Sequence, residues 1–200
     1  MPRIAVLVSG GGTNLQALID AAGRGEMPAE IAVVVSSASD AYALERAKKH
    51  GIESRCILPK DYESKARYEA ALIAFLQEKE VDLIVLAGFL FIFSAGFVRA
   101  FEGRIINVHP SLIPAFAGPG CYGLKVHEAA LARGVKITGA TVHVVTADVD
   151  GGPILLQKAV DVHSGDTPET LQRRVMAEAE HVILPQAVCE MIEQVKPATL

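Results

Sequence analysis

The first twenty residues predict a buried strand, a glycine turn and an amphipathic helix in direct succession. Residues 4–8 are all Ile, Ala, Val or Leu, and the turn that follows contains Gly10, Gly11 and Gly12. Between residues 15 and 19, apolar side chains recur at the spacing of one helix face. A strand that enters a helix through such a turn is typical of the first unit of an α/β sheet.

The order of strand, turn and helix continues through the first half of the chain. A strand is predicted at residues 31–35, a turn at 36–40, a helix at 41–50, a third helix from about 62 to 80 and a further strand at 83–86. These strands are apolar without alternation, as in strands that are buried on both faces. We therefore predict an α/β fold with an open, doubly wound, mostly parallel sheet.

The second half of the chain has a different pattern. A strand is predicted at residues 104–108, a loop at 107–116, a helix at 124–133, β-rich runs at 138–146 and 154–162, and a last helix from 166–169 to about 195. A short turn with Asp and Gly joins the two β-rich runs, which favours antiparallel pairing. We expect this pair to form an antiparallel edge of the sheet near the C-terminal part.

Length, charge and cysteine content limit the class of protein. The 200 residues suit a single domain, and a net charge of −4 gives no overall basic field for nucleic acid. The uncharged run 83–98 is too short for a membrane span. Three cysteines make no disulfide framework and no signal peptide precedes the first strand, so we expect a cytoplasmic protein. The histidines and cysteines lack the spacing of zinc ligands, so we expect no metal.

The glycine turn is a candidate phosphate site. Backbone N–H groups and the positive end of a helix can receive an anion there. The turn lacks the Lys of a P-loop, and Leu15 and Ser36 stand where a dinucleotide site has a glycine and an acidic residue. The pattern therefore favours a phosphate without a dinucleotide. The alternative is that the glycines only form a tight turn.

Asn107 and His109 form a candidate site for acyl transfer. They lie at the C-terminal end of a predicted strand, where open α/β sheets bind ligands, and in extended backbone their side chains point the same way. An amide donor and an imidazole that face one spot can stabilise an oxyanion and move a proton. The alternative is a structural pair, with a hydrogen-bonded loop histidine and an asparagine in a turn.

Asp148 and Asp150 lie in the turn between the two β-rich runs. Aspartates in such turns most often cap their own backbone. A carboxylate beside His109 would instead orient the imidazole and favour its protonated form. The sequence alone leaves both interpretations open. His143, within a β run, is expected to be a core histidine with one hydrogen bond.

Five segments of the chain resemble the folate-dependent glycinamide ribonucleotide formyltransferase family. They are VLVSGGGTNLQALIDA, VVVSSASDAYALERAKKHGI, DLIVLAGFLFIFS, INVHPSLIPAFAGPG and GATVHVVTADVDGGPILLQKAV, and they follow the family's order along nearly the whole chain. The resemblance implies transfer of a formyl group from 10-formyltetrahydrofolate to the glycine amine of 5-phosphoribosylglycinamide, in de novo purine (IMP) biosynthesis. It also implies that folate is a co-substrate and that no cofactor is tightly bound.

The resemblance assigns site residues by motif match. The catalytic residues that it implies are Asn107, His109 and Asp150, with the first two holding the oxyanion and Asp150 tuning His109. The residues implied for the ribonucleotide phosphate are Gly11, Gly12, Thr13 and Asn14, with Glu180 at the acceptor's amine end. The residues implied for folate are Lys65, Leu90, Phe91, Ile92, Phe93, Asn107, Thr146, Ala147, Asp148, Val149 and Asp150. The phosphate-binding half is then about 1–100, and the folate and catalytic half is about 101–200.

Three positions depart from the family pattern. Lys65 stands where some members have an Arg. An Arg can bind a carboxylate with two hydrogen bonds, whereas a Lys ammonium acts as a point charge. Phe91 stands where some members have a basic residue. One residue is inserted before Glu180, which makes Glu178 a rival for the same role.

Other functions fit parts of this pattern. A 10-formyltetrahydrofolate hydrolase shares the catalytic residues but normally carries an N-terminal regulatory domain, and methionyl-tRNA formyltransferase carries a C-terminal domain and a basic surface. A non-catalytic nucleotide-phosphate binding protein would use the glycine turn without the three catalytic residues. The implied partners are the two small-molecule substrates, with no nucleic acid and no membrane. A homodimer is left open.

Overall fold

Strand β1 (Arg3–Val8) lies inside a seven-stranded sheet in the computed structural model, which describes residues 1–195. The other strands are β2 (Glu30–Ser36), β3 (Ser54–Cys56), β4 (Leu83–Leu86), β5 (Ile105–His109), β6 (Ile137–Val144) and β7 (Ile154–Asp161). The helices are α1 (Thr13–Gly23), α2 (Tyr42–Lys49), α3 (Lys65–Glu78), α4 (Ala95–Ala100), α5 (Leu124–Arg133), α6 (Pro168–Val175) and α7 (His181–Val195).

The strands are ordered β3-β2-β1-β4-β5-β6-β7 across the sheet. Strands β3 to β5 are parallel, whereas β6 is antiparallel to β5 and β7 is antiparallel to β6. This arrangement confirms the predicted α/β fold with its antiparallel edge. The chain winds outward from β1 to β3 and then returns to the other side of β1 with β4. Ligands bind at such a reversal, outside the carboxyl ends of the strands.

Alternate side chains of β1 enter two separate cores. Ile4, Val6 and Val8 pack into the core that α1, α5, α6 and α7 cover. Ala5 and Leu7 pack into the core that α3 and α4 cover. All five side chains are fully buried. Burial on both faces explains why this strand is apolar without alternation.

The structure corrects several predicted boundaries. The third helix is Lys65–Glu78 instead of 62–80, because the Ser64 hydroxyl caps it by accepting the Arg67 N–H at 3.3 Å. Strand β5 ends on His109, so Asn107 and His109 belong to the strand and not to the predicted loop 107–116. Strand β3 and helix α4 were not predicted. Residues 196–200 of the predicted domain lie outside the described part of the chain.

The last helix is divided instead of continuous. A π-helical segment (Met176–Glu180) joins α6 to α7. A π-helical turn holds one residue more than an α-helical turn, so the segment can accommodate a single inserted residue without shifting the helix that follows. The one-residue insertion that the family resemblance implies falls in this segment. Within residues 1–195, no helix combines the length and the apolarity that crossing a membrane requires.

Gly139 allows β6 and β7 to pair closely. A Cβ at this position would lie 2.0 Å from the Lys158 carbonyl oxygen. We expect Gly139→Ala to lower the free energy of unfolding in urea by about 2–3 kcal/mol, because the backbone would have to shift. Gly23→Ala is the matched control, since a Cβ there meets nothing within 4 Å in the described chain, and it should change stability by less than about 1 kcal/mol. Equal losses in both variants would contradict this explanation.

Candidate active site

A crevice opens at the carboxyl ends of the central strands. Its cavity of about 430 Å³ is lined by residues 88–93, 107–110, 118–123 and 145–150, with Leu86 and His143. This volume lies in the range of small-molecule sites, about 300–1,000 Å³. The cavity lies beside the point where the strand order reverses, as the fold class predicts.

The glycine turn connects β1 to α1. Gly12 precedes the helix in the left-handed conformation (φ 69°), and a Cβ there would lie 2.6 Å from the Ala43 Cβ. A Cβ on Gly11 would meet nothing within 4 Å in the described chain. Within residues 1–195, no side chain caps the N-terminus of α1. The first N–H groups of the helix therefore lack a side-chain acceptor and are suited to an anion.

Thr13 and Asn14 make contacts with the π-helical segment. The Thr13 hydroxyl donates to the Met176 Sδ at 2.9 Å, and a thioether is a weak acceptor that a phosphate oxygen can replace. The Asn14 Nδ2 donates to the Glu180 Oε2 at 2.6 Å. The Asn14 carbonyl oxygen is buried and has no hydrogen-bond partner among the described residues.

Glu180 is buried and Glu178 is exposed. Burial raises the pKa of the Glu180 carboxyl, and the hydrogen bond from Asn14 opposes this only partly. Of the two rival glutamates, Glu180 is the one that lies against the phosphate turn through Asn14.

His109 has an oxygen acceptor at each ring nitrogen. Its Nε2–H donates to the Phe116 carbonyl at 2.9 Å, and its Nδ1 lies 3.6 Å from the Asp150 Oδ2. The ring is buried, with 4% exposure, so these two acceptors determine its orientation.

His143 is part of the site, which corrects its interpretation as a core histidine with one hydrogen bond. It lies opposite Asn107 in the antiparallel β5–β6 register. Its Nδ1–H donates to the Val144 carbonyl at 3.1 Å, so the neutral ring has its lone pair on Nε2, 3.2 Å from the Asn107 Nδ2. His143 therefore accepts from one Asn107 N–H and leaves the other N–H for a ligand. Its pairing with Asn107 across β5 and β6 identifies it, and this pairing becomes visible only once the register of the sheet is known.

Asp150 lies between the two histidines. Its Oδ1 is 3.5 Å from the His143 Nε2, and its Oδ2 accepts the Gly118 N–H at 2.9 Å. Burial would raise the pKa of the Asp150 carboxyl, but the hydrogen bond from the Gly118 N–H and the charge of His109 help to lower it. Asp148 is exposed, and its carbonyl accepts the Gly151 N–H at 3.1 Å. Asp150 is thus the aspartate of this turn that reaches His109.

The predicted folate segments form two walls of the cavity, one apolar and one that contains two aspartates. On one side, Leu90 and Ile92 expose 66% and 58% of their surface, whereas Phe93 is buried against Phe97. The Leu90 N–H is engaged, since it donates to the Ser9 hydroxyl at 2.8 Å. On the other side, the cavity is lined by Thr146, Ala147, Asp148, Val149 and Asp150.

Lys65 borders this wall from outside the cavity lining. Its Nζ lies 5.5 Å from the centroid of the Phe91 ring and 4.0 Å from the Glu69 carboxylate. About half of the Lys65 side chain is exposed, so the ammonium is accessible to an anion at the mouth of the cavity.

Known proteins resemble this chain along nearly its whole length. A sequence model of the family described as formyl transferase matches residues 2–188. The chain is 46% identical over 186 residues to the trifunctional purine biosynthetic protein adenosine-3 of Bos taurus, and this match covers 93% of the chain but only 18% of the bovine protein. It is 42% identical over 188 residues to the phosphoribosylglycinamide formyltransferase of Haemophilus influenzae, covering 94% of the chain and 86% of that protein.

A solved structure has the same fold. Glycinamide ribonucleotide transformylase 1 from Symbiobacterium toebii matches with a TM-score of 0.91 and 48% sequence identity, over 97% of this chain and 89% of that chain. The resemblance found in the sequence segments is confirmed by these comparisons.

The lowered pKa of Asp150 predicts a dependence of stability on pH. Asn resembles the protonated carboxyl, so Asp150→Asn should lower the free energy of unfolding at pH 7. The expected loss is about 1–3 kcal/mol, as for other hydrogen bonds to a charged group. A depressed carboxyl pKa stabilises the fold above the unfolded value of about 3.9, and this contribution is lost as the pH falls through the folded pKa. The difference between wild type and variant should therefore shrink below about pH 4 in urea titrations.

Asp148→Asn is the matched control for this titration, because Asp148 lies in the same turn and is exposed. It should leave the unfolding free energy nearly unchanged at every pH. An Asp150→Asn difference that stays constant from pH 7 to pH 3 would show that the ionised carboxylate is not the source of the stability.

Proposed function

The chain belongs to the formyl transferase family, and from this premise we propose that it is a phosphoribosylglycinamide formyltransferase of purine biosynthesis. Its substrates would be 10-formyltetrahydrofolate and the glycine amine of 5-phosphoribosylglycinamide. The observation that carries this proposal is the convergence of Asn107, His109 and Asp150 at one end of an apolar cavity. The glycine turn supports it, since it offers an anion site after β1, two strands away from β5 at the same edge of the sheet.

In the proposed reaction, the amine nitrogen attacks the formyl carbon and the carbonyl oxygen becomes an oxyanion. The free N–H of Asn107 and the ring of His109 stabilise this oxyanion. The bond from the formyl carbon to N10 of the folate then breaks, and the proton lost by the amine ends on N10. Asp150, whose Oδ2 lies 3.6 Å from the His109 Nδ1, keeps the ring oriented.

His109 has to change a hydrogen bond for this reaction. In the structure, its Nε2–H is occupied by the Phe116 carbonyl at 2.9 Å. The mechanism requires the formyl oxygen to take the place of this carbonyl. Phe116 lies in the segment between β5 and α5, and residues 118–123 of that segment line the cavity.

The cavity suits the folate that this family uses as a co-substrate. We propose that the pteridine lies between the walls formed by residues 90–93 and 146–150 and that Lys65 meets the acidic tail. The ribonucleotide phosphate would bind the N–H groups from Gly11 to Asn14, with Glu180 toward the amine end. We also propose that the protein acts in the cytoplasm, with these two small molecules as its partners; a homodimer is compatible with the proposal.

Asn107→Ala and His109→Ala should each lower kcat by about 10²- to 10³-fold, the usual effect of deleting one oxyanion partner. The measurement is a two-substrate assay that follows the folate product. KM values for both substrates should change little. His163→Ala is the control, because His163 is an exposed histidine remote in sequence from the cavity segments.

The same assay separates the alternative functions. Formate release without the acceptor would identify a hydrolase. Absence of turnover together with stabilisation by phosphate ligands would identify a binding protein. A wild-type kcat in either variant would remove that residue from the catalytic role.

Gly11→Val should raise the KM for the ribonucleotide at least tenfold and leave the KM for the folate nearly unchanged. A Cβ on Gly11 enters open space in front of the turn, where the phosphate would bind. Gly12→Val should act differently, because its Cβ would collide with Ala43 at a left-handed backbone position, so its main effect is a lower melting temperature. An unchanged ribonucleotide KM in folded Gly11→Val would remove the phosphate site from this turn.

A further inference from the structure

Helix α2 binds two successive carbonyl groups of the glycine turn. The Ala43 N–H donates to the Gly10 carbonyl at 3.2 Å, and the Arg46 Nε–H donates to the Gly11 carbonyl at 2.8 Å. Both carbonyls therefore point toward the same helix. One of these donors is backbone, whereas the other belongs to a side chain that a substitution can remove.

The direction of these carbonyls determines the direction of two N–H groups. In a planar trans peptide, the N–H points opposite to the carbonyl of the same unit. Because the Gly10 and Gly11 carbonyls face α2, the Gly11 and Gly12 N–H groups face away from it. They point in one direction and lie next to the uncapped first N–H groups of α1. Arg46 thus holds the turn in the conformation that an anion requires.

The guanidinium of Arg46 is itself held in place. Its Nη1 donates to the Gln16 Oε1 of α1 at 3.1 Å, and its Cζ lies 5.0 Å from the centroid of the Tyr42 ring. Arg46 therefore connects α1, α2 and the turn between β1 and α1. A planar guanidinium can make these contacts at once, whereas a Lys ammonium is a point charge.

The charge of Arg46 also acts on a partly buried histidine of α7. Burial lowers the pKa of His181, and the positive charge of Arg46 lowers it further. His181 is the residue directly after Glu180. The turn has no Lys of its own, as a P-loop would, and Arg46 is a cation that binds its carbonyl side.

We propose that Arg46 is a positioning residue for the phosphate site. It fixes the glycine turn so that two N–H groups face the ligand, and it supplies positive charge for a phosphate monoester dianion. The consequence is selectivity, since the site favours a phosphorylated acceptor over the same molecule without its phosphate. The identity of the acceptor rests on the proposed function, whereas the phosphate preference rests on the turn and α2.

The test compares Arg46→Met and Arg46→Lys with Lys48→Met. Lys48 is an exposed residue of the same helix, and its replacement removes the same charge. In the two-substrate assay, Arg46→Met should raise the KM for the phosphorylated acceptor about 10- to 100-fold, as expected for loss of a charge-assisted contact. The folate KM and kcat should stay within about threefold, and activity on the dephosphorylated acceptor should not fall. Arg46→Lys should be intermediate, because it keeps the charge without the planar contacts, and Lys48→Met should match wild type.

Binding of inorganic phosphate separates this proposal from the proposed function. Calorimetric titration with phosphate should show weaker binding to Arg46→Met than to wild type and Lys48→Met, whether or not the protein transfers formyl groups. Phosphate binding that depends on Arg46 without formyl transfer would overturn the proposed function and leave the role of Arg46 in place. Unchanged phosphate binding and unchanged preference for the phosphorylated acceptor in folded Arg46→Met would overturn the role of Arg46. Equal losses in Lys48→Met would also overturn it, since they would indicate a general charge effect.

Discussion

The half-buried carboxylate of Asp150 is the interaction on which the rest of the site depends. It faces His109 on β5, His143 on β6 and the Gly118 N–H in the segment after β5, so one side chain connects three parts of the chain. Removing a carboxylate from water is costly unless partners replace the water. Here the partners lower its pKa despite the burial, so the ion is stable in place. Each histidine ring has one nitrogen toward the carboxylate and the other toward a backbone carbonyl.

The turn that presents Asp150 is shaped by main-chain packing. Asp150 has a positive φ of 54°, which Asp tolerates better than most residues. A Cβ on Gly152 would lie 1.8 Å from the Val144 carbonyl oxygen, so the chain entering β7 passes directly against the end of β6. The two glycines after Asp150 are therefore required by close approach, and this approach determines where the carboxylate lies. The Asp-Gly-Gly sequence is thus a structural signal at the position of the proposed catalytic aspartate.

The sequence predicted those features that arise from local patterns. Apolar runs located β1, β2, β4 and the edge pair, and Gly134 ended α5 as expected. Strand β3 was not predicted because its residues Ser54–Cys56 are exposed and have no apolar pattern. Helix α4 was not predicted because it lies within a long apolar run. His143 was misjudged because its role depends on its partner across β5 and β6, which no local window contains. The choice between Glu178 and Glu180 likewise needed the structure, since both lie in the π-helical segment and only their packing shows that Glu180 is the buried one.

The strand order also sets the distance between the two halves of the site. The glycine turn follows β1 and His109 ends β5, with β4 between them. Two inter-strand spacings of about 4.8 Å separate these strands by roughly 10 Å. A ribose with a phosphate at one end and a short amide chain at the other would span this distance along the sheet edge. The glycine turn and His109 both lie at the ends of parallel strands, so the distance between them is fixed. A phosphate bound by the turn would therefore place the amine of the same molecule at the proposed oxyanion site. Binding energy gained at the phosphate would then serve to orient the amine, which is how a part of a substrate remote from the reacting atoms contributes to rate.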